Sequence, residues 1–193
     1  MTFAKPHMLP YSFEDRTGST TNSDFDDIYD RMFFHVMRQP GRSTTYIYEM
    51  PIRASHHRSL LPLNREPSVI LEFLPDESLG NVTFVGKGHF TATTIPMVRY
   101  LRKTSLFGTS LTRKFVGSDG REYKWSHQSG EGQQWTCTTP ENYLVAHYDL
   151  KPPNVKTLDV TGNTLTIYEP FAHLALELMA SFIIMRHVAE HHL

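Results

Sequence analysis

Three polar side chains interrupt an otherwise apolar run near the end of the chain: His173, Glu177 and Ser181 in "HLALELMASFIIMRHV", residues 173–188. Side chains four apart on a helix drift by only about 40° per step, so the three form one stripe. Beside an imidazole at the end of a cavity, a partly desolvated Glu177 carboxylate would keep its proton to higher pH and serve as general acid or base. His173, or His147 from a separate segment, would be its partner. Such a pair suits a cofactor-independent isomerase or cyclase acting on a hydrophobic small molecule. The same stripe also suits facing solvent at an open seam or satisfying main-chain groups, as polar stripes on packed helices commonly do.

A second feature is a gap in the acids. From Ser78 to Ser118 there is no Asp or Glu, while Lys87, Arg99, Arg102, Lys103, Arg113 and Lys114 are all cationic. The formal net charge is −1, so this positive charge is balanced elsewhere, in part by Glu14 to Asp30 with six acids against Arg16. Segregation of this kind can build a basic face that holds phosphates or lipid headgroups. Arg102, Lys103, Arg113 and Lys114 flank one expected turn, and with Arg99 they are the expected ligand contacts. A solvated sheet surface balanced by the acidic segment is the other reading. Nucleic acid is not an expected partner, because the chain is near neutral and shows no helix-turn-helix or zinc-finger pattern.

Eleven histidines raise the question of a metal. His187 and His191 stand four apart and His56 and His57 are adjacent, but spacing fixes no third ligand and no H-E-x-x-H run occurs. An exposed, frayed helix end is the expectation for the first pair, and neither a metal nor another cofactor is expected. Cys137 is the single cysteine, which rules out an internal disulfide and a cysteine-based zinc site. Between Thr136 and Thr138 in a strand-like run, it is expected to be a buried structural thiol. No G-x-S-x-G elbow, phosphate-binding loop or dinucleotide fingerprint is present, which disfavours serine hydrolases, kinases and dehydrogenases.

The elements that would position these groups are mostly strands. Residues 1–26, rich in Thr, Ser and Asp, read as a flexible arm. From residue 33 onward, short β-branched and aromatic runs alternate with turns. The runs are 33–37, 44–50, 68–74, 81–86, 96–103, 111–117, 121–127, 133–139, 142–150, 155–160 and 163–169. In "REYKWSH" Tyr123 and Trp125 share one face and Lys124 and Ser126 the other, the period of a half-buried strand. Evenly spaced short strands of this kind predict a sandwich or barrel.

After Pro170 the period changes. Residues 171–190 contain no Gly or Pro and are rich in Leu, Ala, Met and Glu, which predicts a helix. Glu177 interrupts the apolar run and Arg186 and His187 end it, too early for an ordinary membrane span. A helix apolar on nearly every side is then expected to be enclosed by the strands. The absence of a charged start followed by an apolar run at the N-terminus, together with the lone thiol, predicts cytoplasmic residence.

The string "RKFVGSDGREYKW", then "NYLVAHYDL", a Leu-rich strand and the terminal apolar helix resemble a family of small uncharacterised proteins. That family is abundant in mushroom-forming fungi and is catalogued as a domain of unknown function. The likeness runs from about residue 27 to 188, and its most specific part is Phe-x(4)-Asp-Gly-x-x-Tyr-x-Trp, Phe115 to Trp125. The family's helix often carries an Asp and a Thr four apart; Glu177 and Ser181 take those places here. The architecture also resembles the tubby-like group, which includes phospholipid scramblases and the plant LURP-one-related proteins. The resemblance implies one antiparallel β-barrel of about 11–12 strands over residues 27–193 with a buried C-terminal helix.

Tubby domains bind phosphoinositides, but a shared fold does not transfer a function. The expected role is a non-enzymatic binding module for an anionic lipid-like or hydrophobic small ligand, with peripheral membrane contact; an enzyme built on Glu177 or a protein-interaction scaffold are the alternatives.

Overall fold

The computed structural model describes residues 9–53, 65–86, 91–104, 111–127, 133–151 and 160–193. Thirteen strands among them form one antiparallel sheet. They are β1 (Tyr11–Asp15), β2 (Asn22–Asp27), β3 (Phe33–Arg38), β4 (Thr44–Met50), β5 (Val69–Phe73), β6 (Leu79–Phe84) and β7 (Thr93–Pro96), followed by β8 (Arg102–Lys103), β9 (Thr112–Val116), β10 (Glu122–His127), β11 (Gln133–Thr138), β12 (Leu144–Asp149) and β13 (Asn163–Ile167). β1 lies at the centre of the sheet order. On one side β2 to β7 follow in sequence, and on the other the order runs from β13 back to β8.

Among the described residues β7 and β8 share no ladder, yet only five residues separate them in the chain. Four of these form a single helical turn, α1 (Met97–Tyr100), which packs on β6, β7, β8 and β9. The Tyr100 ring lies 5.6 Å from Phe84 on β6 and 5.6 Å from Phe115 on β9. An aromatic clamp therefore spans the two ends of the sheet where hydrogen bonds do not. Residues 96–103 were expected to be one strand. Met97, Tyr100 and Leu101 are the buried positions, a spacing of three and four that fits a helical turn rather than the period of two.

Residues 11–15 and 22–27 are strands, not parts of a loose arm. β2, "NSDFDD", is buried on both faces, and its acids are satisfied individually. Asp24 meets His35 Nδ1 at 2.6 Å, and Asp27 accepts from Arg31 Nε at 2.7 Å and from the Ser12 N–H at 3.0 Å. Asp26 lies 3.9 Å from Arg53. The acidic segment is thus balanced by nearby and long-range cations rather than by the 78–118 segment. Residues 155–159 of the strand expected at 155–160, the greater part of the 51–67 insert, Lys87, His56 and His57 lie outside the described residues.

The chain's last elements are a 3-10 segment, Glu169–Leu174, and helix α2 (Ala175–Glu190). Every residue from Leu178 to Val188 is buried. Phe182 contacts rings from β2, β10 and β12: Phe25 at 6.4 Å, Trp125 at 5.7 Å and Tyr148 at 4.8 Å. Near the other end of α2, Phe73 of β5 stacks on His187 at 3.7 Å. The sheet wraps around the helix in a barrel-like arrangement. Glu169–Glu190 has the length and composition to cross a membrane, but most of that apolar surface is covered by the chain's own strands.

Candidate functional site

The polar stripe on the terminal helix faces one hairpin. Its turn, between β9 and β10, is closed by Gly120 N–H donating to Gly117 O at 2.9 Å, with Gly120 at φ +78°. An L side chain is disfavoured there, which accounts for the Gly in the Phe115–Trp125 run. Ser118 N–H donates to Glu177 Oε2 at 2.9 Å. Asp119 accepts from Tyr123 Oη at 2.7 Å and lies 3.6 Å from His173 Nε2. Trp125 Nε1 donates to Ser181 Oγ at 2.9 Å, and that hydroxyl donates to Leu178 O at 3.1 Å.

All the named side chains of the run therefore have packing or latching work. Phe115 fills the core, Asp119 and Tyr123 fix the turn, and Trp125 ties β10 to α2. Burial pushes the Asp119 carboxyl upward, but hydrogen bonds from Tyr123 and the Arg121 N–H, together with His173, outweigh it and hold it below the usual carboxylate range. Burial first, and Asp119 second, raise the Tyr123 phenol.

Glu177 and His173 are thus brought to adjacent residues of one turn, while His147 is placed elsewhere. It sits on β12 between Thr136 and Thr166 of the neighbouring strands, with Nε2 3.0 Å from Asp149 Oδ2. Of four clefts bordered by described residues, none has Glu177, His173 or His147 in its lining.

The basic residues divide by face. On β9, Arg113 and Phe115 point inward. Arg113 is 2% exposed and donates to Leu101 O at 3.4 Å and to Leu193 O at 3.2 Å. Burial lowers its pKa from the ordinary guanidinium value. Expected among the ligand contacts, Arg113 is a buried cation facing main-chain carbonyls, because an alternating strand cannot present two neighbouring residues on one face. Lys114 points outward, opposite Arg102 of β8 and Lys124 of β10. Arg99 and Lys103 are exposed close by in sequence, on α1 and β8.

Arg102, Lys114 and Lys124 therefore form a row across three adjacent strands. Glu122 is their carboxylate neighbour, 3.4 Å from Arg102 and 3.0 Å from Lys114. Beside the row, Thr104, Lys114, Glu122, Tyr123, Lys124 and Pro140 border a cleft of about 200 Å³. Lys124 was not among the expected contacts, although counting outward from the Gly117–Arg121 turn pairs 114 with 124.

Cys137 is buried, and desolvation raises its thiol well above the ordinary value, opposed by a main-chain hydrogen bond involving Lys124. A thiolate is the reactive form. Labelling of the native protein by a disulfide-exchange reagent should accordingly run at least about a hundredfold slower than labelling of the unfolded chain. Comparable rates would mean that the β10–β11 region opens readily.

Fold and packing define a class: a mainly β protein in which one antiparallel sheet wraps an apolar terminal helix. Within it, the chain belongs to the family described as a family of unknown function, DUF6593, whose model matches residues 17–191. No curated protein and no solved structure matches the chain.

Proposed function

We propose that this domain is a non-enzymatic binding module for an anionic, lipid-like ligand, held on the outer face of β8, β9 and β10. The carrying observation is the row of Arg102, Lys114 and Lys124 set directly opposite one another. Like charges on facing strands weaken a sheet by roughly 0.2–1 kcal/mol per pair. Glu122 offsets part of that repulsion; an anionic headgroup laid along the row would relieve the rest, and Arg99 would add to the attraction. Val98 and Val116, 57% and 49% exposed, supply apolar surface on the adjoining α1 and β9. A basic, partly apolar face suits peripheral contact with a cytoplasmic membrane leaflet. One meander wrapped around its own last helix also supports reading the architecture as tubby-like.

The test is co-sedimentation with phosphatidylcholine vesicles, with and without phosphatidylserine. Wild type should prefer the anionic vesicles and lose that preference as salt rises. Lys114→Glu together with Lys124→Glu should weaken binding at least tenfold, since each basic residue near an anionic surface contributes about 1 kcal/mol. Arg42→Glu, on the turn between β3 and β4, should leave it unchanged. Equal binding to both vesicle types would refute the proposal.

A further inference from the structure

The two ends of α2 are built differently. At its N-terminal end the polar side chains all hold the Ser118–Asp119 turn. At its C-terminal end three residues of types that can ligate a metal converge. A ring nitrogen of His187, a ring nitrogen of His191 and a carboxylate oxygen of Glu77 lie within 4.8 Å of one another. Glu77 comes from the turn between β5 and β6, which no spacing rule could connect with the helix.

We propose that Glu77, His187 and His191 form a binding site for a divalent transition metal of the zinc type. Two imidazoles and a carboxylate are a donor set that zinc accepts, leaving a fourth position for water or a ligand. The two histidines are four apart, the spacing that places helical side chains on one face. They stand at the helix C-terminus, where unpaired carbonyls carry partial negative charge and favour a cation.

The rings are already constrained. His187 is 5% exposed, stacks on Phe73 at 3.7 Å and donates from Nε2 to Glu77 O at 2.7 Å. A main-chain carbonyl can only accept, so that hydrogen bond sets the tautomer, as second-shell partners do for metal-bound histidines. The His191 ring lies 4.3 Å from that of His187. The expected frayed end is therefore corrected for His187, which is packed inside α2.

Two costs limit the affinity. Bonds of about 2.0–2.1 Å put tetrahedral donors about 3.3 Å apart, so Glu77 and His191, both only half-buried, must rotate inward. Arg38 Nη2 also holds both Glu77 oxygens, at 2.7 and 2.6 Å, and must give up one of them. Arg38 and Glu77 further border a cleft of about 450 Å³ with Thr21, Asn22, Gln39 and Arg42. A bound metal would staple the β5–β6 turn to the end of α2 beside that cleft.

The experiment is zinc titration of chelator-treated full chain by calorimetry, with thermal unfolding in parallel. One zinc should bind per chain, and Tm should rise with zinc concentration, as it does for any ligand of the native state. His191→Ala and Glu77→Gln should each reduce affinity at least tenfold while the metal-free Tm stays close to that of wild type. His192→Ala, one residue further along, should leave affinity unchanged. His187 is buried and its variant is unsuited to the test. Absence of saturable zinc binding, undiminished binding in both the His191 and Glu77 variants, or an equal loss in His192→Ala would overturn the site. The vesicle assay is independent of all these outcomes.

Discussion

Replacing Arg186 with Met should destabilise the protein by about 3–5 kcal/mol, the cost of leaving one partner of a buried ion pair uncompensated. Asp15 is fully buried, and Arg186 Nη1 lies 3.1 Å from its Oδ2. The same carboxylate accepts from Tyr148 Oη at 2.7 Å, from the Gly18 N–H at 2.9 Å and from Ser23 Oγ. Arg186 in turn donates to Gly18 O and lies 5.3 Å over the Tyr148 ring. One cluster thus ties β1, the β1–β2 turn, β12 and α2 together, and the variant strands a carboxylate that water cannot reach. Urea unfolding should show a lower midpoint with an unchanged slope. Adding Asp15→Asn to Arg186→Met should recover part of the loss, because groups in contact are coupled by about 0.5–3 kcal/mol. A loss under about 1 kcal/mol would instead class the pair with exposed salt bridges.

Phe182→Ala should cost a similar amount, about 3–5 kcal/mol, from lost burial and the cavity left behind. Its ring is fully buried among Phe25, Trp125 and Tyr148, which belong to three different strands. Those strands are joined to the rest of the sheet by ladders, so the surroundings have little freedom to collapse into the void. Tyr143→Ala, at 69% exposure, should stay within about 0.5 kcal/mol. The contrast separates an enclosed helix from one lying on an outer surface or in lipid: in those settings truncating Phe182 would scarcely affect the stability of the sheet. Measured losses of equal size at Phe182 and Tyr143 would contradict the wrapped arrangement.

Much of the fold could be read from local pattern. Tyr123 and Trp125 alternate with polar neighbours, and the structure places both inside. The change of period after Pro170 and the apolar run to Val188 announced a helix with no free face. The candidate site was legible in part. Alternation on β9 meant that Arg113 and Lys114 could not share a surface, and the tight turn that follows was enough to pair Lys114 with Lys124. The segment 96–103 misled because a β-rich composition hid one helical turn whose buried positions are three and four apart.

By itself, then, the sequence determined the elements whose side chains repeat with a period, because periodicity is a property of consecutive residues. Only the tertiary structure decided what depends on partners distant in the chain. β1 and β2 looked like a solvated arm because acids are poor strand formers in isolation. They are strands at the centre of the sheet because Arg186, Arg31 and Arg53 supply counter-charge to those acids and His35 a hydrogen bond, and a buried charge is tolerated where its counter-charge is supplied. The same logic separates Glu77 from His187 by 110 positions in the chain and brings them within a hydrogen bond in space.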